Sequence, residues 1–294
     1  MNNDIVTGTP KKRSALLSSW KRLRRYPTAI FGFTVFGFFL LMALIGPMIT
    51  PYNYDALNVQ NAIQAPSAAH WLGTDNFGRD VFSRILAGSR DVYMTAGFAT
   101  LVAAFFGLCL GLFSGYKGGF VDEIIMRIID VIISIPSLLL AMVVIFSLGP
   151  SRLNLILVIG FLYIPMVSRV VRSVVLDVKT RQFVEAAKLR GESLFYILSR
   201  EILPNVLPHL AVETTMRFSY AIFTVASLGF LGMGIQPPSP DWGFMVSDAR
   251  VWYELAPWTM LAPAGTIALL VVGVGFMSDG LSKLLLPGGV ADGK

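Results

Sequence analysis

Long apolar runs separated by short polar stretches form the pattern of this 294-residue chain. Six runs match or exceed the roughly 20 residues that a helix needs to cross a bilayer. They lie near residues 28–50, 92–115, 124–148, 153–175, 209–235 and 259–282. The runs are continuous, whereas the strands of a membrane β-barrel alternate apolar and polar positions. The pattern therefore predicts an all-α integral membrane protein with six transmembrane helices.

The composition agrees with a lipid-embedded core. Hydrophobic residues make up 54% of the chain and charged residues only 14%. The first apolar run is longer than the about 7–15 residues of a secretory signal, and a long basic segment precedes it. We therefore interpret this run as a retained membrane anchor. Cys109 is the only cysteine, which excludes an intrachain disulfide and a thiolate metal site.

Lysines and arginines indicate the orientation of the spans. They are concentrated in the first 26 residues and in the stretch 169–200, which the positive-inside rule places in the cytoplasm. With six spans, both termini then lie in the cytoplasm, and segments 51–90 and 236–258 face outward. Segment 51–90 also holds three arginines, but three aspartates accompany them. The net charge of +6 thus reflects topology and attraction to anionic lipid, and no nucleic-acid partner is predicted.

The sequence lacks the motifs of common catalytic sites. No phosphate-binding loop, serine nucleophile elbow or zinc-binding helix is present. The ionisable pairs Arg127 with Asp130 and Glu213 with Arg217 have helical spacing, and we expect them near helix ends as structural pairs. A secondary carrier or a channel remains an alternative, although a carrier usually has charges in the middle of its spans. A membrane enzyme has no catalytic constellation to support it.

Two further patterns bear on packing. Gly107, Gly111 and Gly115 recur every four residues along one helix face, which permits close approach of another helix, within the chain rather than between subunits. Aromatic residues precede the sixth run, where an aromatic belt in the headgroup layer explains them: Trp242, Trp252, Tyr253 and Trp258.

The polar stretch "VEAAKLRGESLFYILSREILPN", residues 184–205, predicts a helix, a turn and a second helix between spans four and five. Thr180 is a candidate cap of the first helix, and Gly191 suits the left-handed position at its end. The second helix begins after Ser193 and should end by Leu203, because a residue before proline disfavours helix. The unit is either an amphipathic loop on the inner leaflet or a docking element, and its small residues favour docking.

Three stretches together resemble one family. The run "EAAKLRG", Glu185–Gly191, followed by "EILPN", Glu201–Asn205, resembles the EAA loop of permease subunits of bacterial ABC importers. The stretches "HWLGTDNFGRDVFSRILAGSR" and "SLGFLGMGIQPPSPDWG" resemble the second, shorter permease of the peptide and nickel subfamily. Three positions depart from the family pattern: Glu201 stands where isoleucine is common, Met277 follows Phe276 where asparagine is usual, and Leu286 replaces an acidic residue.

The resemblance implies roles for two groups of residues. The EAA loop would form a cytoplasmic coupling helix that seats in a groove of an ATPase and passes movement to the spans, through Glu185, Ala186, Ala187, Gly191, Leu203 and Pro204. The outward motif would serve structure first and docking of a binding protein second, through Gly73, Thr74, Asp75, Gly78, Arg79, Asp80, Ser83 and Arg84. Its charged members would form a salt-bridged cap.

The resemblance also implies a complete machine. The chain would be a permease subunit that imports di- or oligopeptides by alternating access, or alternatively nickel chelates, glutathione or opine-like solutes. Its partners would be a homologous second permease, two cytoplasmic ATPase subunits, an extracytoplasmic solute-binding protein and membrane lipid. The chain itself would bind no cofactor, since ATP and Mg belong to the ATPases. The expected location is the bacterial inner membrane, with a basic segment at 1–26, the first span and outward segment at 27–91, a permease core at 92–286 and a cytoplasmic tail at 287–294.

Overall fold

The computed structural model describes residues 26–286. The basic segment up to residue 25 and the tail from residue 287 lie outside the described residues. Within the described range the chain forms helices and loops, with one isolated β-bridge between Thr74 and Asp80. The helices are α1 Pro27–Ile49, α2 Val81–Lys117, α3 Gly119–Ser134, α4 Ser137–Leu148, α5 Arg152–Val178, α6 Gln182–Leu189, α7 Leu194–Tyr196, α8 Leu203–Phe230, α9 Trp242–Ala249 and α10 Pro257–Leu285.

Four of the described helices are long and apolar enough to cross a membrane: α1, α2, α5 and α10. Helices α3 and α4 together form a fifth candidate, bent by 85°, where the sequence predicted one span at about residues 124–148. The bend lies at Ile135, which is extended because Pro136 follows it. Helix α8 has 28 residues, but Glu213 and Arg217 lower its apolar character. The sixth span therefore stays a prediction.

Close contact between α2 and α5 forms the centre of the fold. Gly107, Gly111 and Gly115 all lie buried against α5. A Cβ atom added to Gly107 would come within 2.6 Å of Val167, and one on Gly115 within 2.9 Å of Val175. Helices α1 and α10 meet in the same manner, since a Cβ on Gly32 would lie 2.3 Å from the backbone of Met277. Glycine thus sets the spacing of two helix pairs.

The ionisable pairs differ in part from the expectation. Glu213 and Arg217 do pair, at 2.6 Å, but they lie well inside α8 rather than near its end. The predicted pairing of Arg127 with Asp130 was wrong. Helix α3 packs against α5, and Asp130 forms an ion pair with Arg169 of α5 instead. Helix α3 also meets α5 through Asp122, which accepts two hydrogen bonds from Arg172 at 2.6 and 2.5 Å. Charge pairs therefore join neighbouring helices.

Candidate functional site

The polar stretch between α5 and α8 forms a compact loop whose inner face is buried. Val184 and Ala187 of α6 are fully buried, and they pack against the end of α5 and against Ile197 and Ile202. Helix α6 ends at Leu189, and Gly191 follows with a φ of +76°, as expected for a glycine at this place. Ala187 thus faces the chain itself, whereas Glu185 and Ala186 are exposed.

Two local predictions about the loop were wrong. Thr180 does not cap α6, because its hydroxyl donates to the carbonyl of Asp177, and Arg181 occupies the cap position. The second helix does not end before Pro204 either. Residues Ile197–Ile202 form a π-helical turn, and α8 continues directly from it with Pro204 in its first turn. The π-helical turn changes the spacing of the backbone hydrogen bonds, so that Pro204 lies in the first turn of α8. Proline is tolerated there because the N–H groups of the first turn have no partner within the helix.

Apolar side chains on the outer face of this loop are left without cover. The exposed fraction is 90% for Leu189 and 80% for Phe195, and Phe183 is also exposed. Glu185 and Ala186 lie on the same helix as Phe183 and Leu189. Sequence reasoning missed Leu189 and Phe195. The available signal was that both fall out of register with the buried positions Val184, Ala187 and Ile197.

Polar contacts hold the loop against the spans. The Lys188 ammonium lies 5.5 Å from the centre of the Tyr116 ring at the end of α2. The Lys179 ammonium donates to the carbonyl of Gly115 at 2.7 Å. Arg190 lies 3.7 Å from Glu201 of the π-helical turn, which connects the two halves of the loop. The exposed apolar face is therefore presented by an anchored element.

The outward motif folds into a buried polar network at the start of α2. Asp75 pairs with Arg79 at 2.6 Å and lies 3.9 Å from Arg84. Arg79 also reaches Asp248 of α9 at 3.7 Å. Asp80, in contrast to the expected arginine pairing, contacts His70 at 2.9 Å and caps α2 by accepting from the backbone N–H of Ser83 at 2.7 Å.

The remaining motif residues fix the same network in place. The hydroxyl of Thr74 donates to the carbonyl of Asn61 at 2.5 Å, and the backbone carbonyl of Thr74 accepts from the indole of Trp258 at 3.3 Å. A Cβ on Gly73 would lie 2.5 Å from that indole nitrogen. Gly78 has a φ of +72°, and an added Cβ would lie 1.8 Å from the carbonyl oxygen of Asn58. The motif thus shapes the outer segment from within.

The belt interpretation of Trp242 was wrong. Trp242 is fully buried, packs edge-on against Phe39 and donates to the carbonyl of Ile85 at 3.1 Å. Trp258 binds Thr74, as described above. Other apolar side chains occupy the exposed surface of the two outer segments, residues 51–80 and 231–256: Leu57, Val59, Trp71, Val251 and Leu255.

Asp241 is a buried carboxyl group that joins the second outer segment to α8. Its side chain caps α9 by accepting from the backbone N–H of Phe244 at 2.8 Å. A Cβ on Gly229 would lie 2.2 Å from the carboxyl oxygen, so only glycine fits beside it. Burial raises the pKa of Asp241 to about 6, against the opposing effect of the backbone hydrogen bonds.

The described residues contain no cluster that fits a metal ion, since no three or more His, Cys, Asp or Glu side chains come together between positions 26 and 286. The two surfaces found above, one on the loop and one on the outer segments, are apolar and exposed. They are suited to binding proteins rather than to chemistry on a substrate.

Comparison with known proteins gives matches over most of the chain. Residues 107–288 match the family described as the binding-protein-dependent transport system inner membrane component. Residues 14–66 match the N-terminal transmembrane domain of oligopeptide transport permease C. A dipeptide transport system permease protein of Alkalihalophilus pseudofirmus is 40% identical over 282 residues, which cover 95% of this chain and 93% of that protein.

Two further relatives are named for other substrates. A probable D,D-dipeptide transport system permease protein of Escherichia coli is 38% identical, with 90% of this chain and 89% of that protein covered. A glutathione transport system permease protein of Pectobacterium atrosepticum is also 38% identical, with 91% and 89% covered. The similarity to all three extends across both surfaces described above.

Proposed function

Because this chain belongs to the family of binding-protein-dependent transport system inner membrane components, we propose that it carries di- or oligopeptides inward through the membrane by alternating access. The family is the membrane-embedded part of ABC importers and has no ATPase site of its own. ATP and Mg therefore act on separate subunits. The peptide substrate is supported by the dipeptide permease of A. pseudofirmus, which is similar over nearly the whole chain.

The exposed loop surface is the single observation that carries the transport step. We propose that α6 enters a groove of an ATPase subunit, with Glu185, Ala186, Leu189 and Phe195 at the contact. Large apolar side chains left exposed on an anchored element are typical of a protein interface. A loop resting on lipid is the competing interpretation, and it explains less well why Glu185 lies among these apolar side chains.

The outer segments are the proposed docking surface of the solute-binding protein. The motif Gly73–Arg84 supports that surface from below, because nearly all of its members are buried. Contact with the partner falls instead to exposed residues such as Leu57, Trp71 and Val251. The proposed outward orientation of these segments, with both termini in the cytoplasm, is supported by the distribution of lysine and arginine.

A second, homologous permease completes the proposed path. Helices α4, α8 and α10 enclose an open apolar depression of about 650 Å³ whose lining includes Phe223, Ala226, Ala264 and Ala268. Small residues on facing helices allow another membrane helix to pack closely. The substrate would then pass between the two permeases rather than through one chain.

Glutathione is the second candidate substrate, and the similar permease of P. atrosepticum favours it. Glutathione is itself a short peptide, so the same path would serve it. Nickel chelates and opine-like solutes stay further alternatives from the sequence, without an observation of their own.

The test is uptake by the reconstituted importer. The chain would be assembled in vesicles with its genomic neighbours for the ATPases, the second permease and the binding protein. Uptake of labelled dipeptide, driven by ATP and competed by excess tripeptide, is the expected result. Glutathione uptake that a dipeptide does not compete would replace the peptide assignment, and uptake without ATPase subunits would contradict the importer itself.

A further inference from the structure

A recessed apolar groove runs between α1 and α2, near the end of the spans that joins the outer segments. Its volume is about 500 Å³. The bottom is formed by Ala43, which is buried, and by Gly97, which has no side chain. The sides are large and exposed: Leu44, Met48, Phe98 and Leu101. None of the functions proposed above uses this groove.

One end of the groove holds an unused positive charge. Arg90 is exposed and is the only charged residue in its lining. Within residues 26–286 Arg90 makes no ion pair. The neighbouring Asp91 is already bound to Arg152 and Ser239. Because a guanidinium keeps its charge at any ordinary pH, this end of the groove attracts an anion.

The length of the groove matches one leaflet of a bilayer. Eleven residue steps separate Arg90 from Leu101, which is about 16 Å along a helix. The hydrocarbon core of a bilayer is roughly 30 Å thick, so one leaflet contributes about half of that. A cation at one end and an apolar channel of leaflet length are the two parts that a phospholipid would need.

The position of the charge favours a lipid over a protein helix as the occupant. Arg90 lies at one end of a lining that is otherwise uncharged. A phospholipid likewise carries its phosphate at one end of its acyl chains. We propose that the groove is a phospholipid site, with one acyl chain along Ala43 and Gly97 and the phosphate on Arg90. The proposal depends on the membrane location of the chain and not on its substrate.

A photo-crosslinking experiment tests this site on the assembled importer. The probe is phosphatidylglycerol with a diazirine in the middle of one acyl chain, mixed into phosphatidylethanolamine vesicles. Crosslinks should concentrate on Ala43, Gly97 and Leu101. Replacing Arg90→Gln should lower the yield there by about fivefold, since one basic residue near a membrane surface contributes that much attraction to anionic lipid.

Matched variants control for general effects. Arg250→Gln removes another exposed arginine from the outer segments, outside the groove, and should leave the yield unchanged. Gly97→Leu should add bulk to the groove and lower the yield, and its Cβ fits without a clash because the nearest atom, on the Phe218 ring, is 3.9 Å away. Gly265→Leu, at an exposed helical glycine with open space around it, is its control.

Three results would overturn the proposal. Crosslinks spread evenly over all exposed spans would leave only a general lipid annulus. Equal yields for Arg90→Gln and Arg250→Gln would remove the role of the cation. A disulfide formed between Met48→Cys and a cysteine in the second permease would assign the groove to a subunit interface. Yields are compared on complexes of native size, and if one of the two groove variants, Arg90→Gln or Gly97→Leu, fails to assemble, the other one with its control decides the test.

Discussion

Gly191 shows how one backbone conformation controls the loop surface. Its φ of +76° lies in the left-handed region, and nothing lies within 4 Å of a Cβ added there. A substitution therefore acts through backbone strain alone and not through a clash. Placing a β-branched residue in this region costs about 1–2 kcal/mol.

We expect Gly191→Val to lower ATP-driven uptake by roughly fivefold or more. A strain of this size lowers the population of the native loop conformation by about that factor. Membrane insertion should be unchanged. Gly191→Asn is the matched control, because asparagine tolerates the left-handed region, and it should keep most of the uptake. Parent-level uptake by the valine variant would remove the proposed role of this turn.

Asp241 should make stability depend on pH around the second outer segment. Its folded-state pKa is about 6, above the ordinary value of 3.8. Between these values the folded protein binds a proton that the unfolded chain does not, so stability rises as the pH falls from 7 towards 4. The free-energy change is on the order of 1–3 kcal/mol.

The variant Asp241→Asn isolates this effect. Its amide oxygen can still accept from the backbone of Phe244, but it does not titrate. We expect the midpoint of thermal unfolding in detergent to rise between pH 7.5 and pH 5 by several degrees more for the parent than for the variant. Parallel curves for the two proteins would show that the carboxyl group is already ionised to the same extent in both states.

At the scale of elements, glycine contacts give the sharpest stability prediction. Gly111→Ala places a Cβ 2.6 Å from the backbone oxygen of Ser168, so α2 and α5 must separate. Overpacking of this kind costs about 1–3 kcal/mol. Gly265→Ala adds the same atom to an open helix surface, where alanine is favoured by about 1 kcal/mol. We expect the midpoint of thermal unfolding, followed by size-exclusion chromatography, to be lower than that of the parent for Gly111→Ala and higher for Gly265→Ala. Equal midpoints would mean that the α2 and α5 contact adapts without cost.

The apolar pattern predicted where helices lie, and proline decided where that prediction failed. Positions of α1, α5 and α10 follow their apolar runs within a few residues. The bend before Pro136 and the π-helical turn before Pro204 were not predicted. In both cases the residue pattern alone leaves open whether a proline ends, bends or begins a helix, and the packing of neighbouring helices decides.

At the scale of the whole molecule, the loop surface predicts assembly. Replacing Leu189 and Phe195 together by serine should reduce the ATPase recovered with purified permease by several-fold, because a few exposed apolar anchors carry most of the energy of a protein interface. Arg200→Ala, at another exposed position of the loop, is the control and should retain the ATPase. Full recovery with the double variant would favour the lipid-resting interpretation of the loop.

Part of the candidate site could be proposed from a short local motif, whereas the exposure of each side chain depends on the fold and could not be read from the sequence. The family resemblance led to Glu185, Ala186 and Gly191 directly. That Ala187 turns inward, while Leu189 and Phe195 turn outward, depends on which face of α6 meets α5. The charges at Arg79 and Asp80 were foreseen as a network, but the partners Asp248 and His70 required the folded chain.

The burial of α6 also determines how the loop can transmit force. Val184 and Ala187 fill the space between the end of α5 and the π-helical turn that leads into α8. Closely packed interiors do not compress, so α6 cannot shift without displacing both neighbours. If α6 is the proposed contact with an ATPase, we therefore expect a displacement of α6 to move α5 and α8 together, because no empty space between the three elements can absorb the movement.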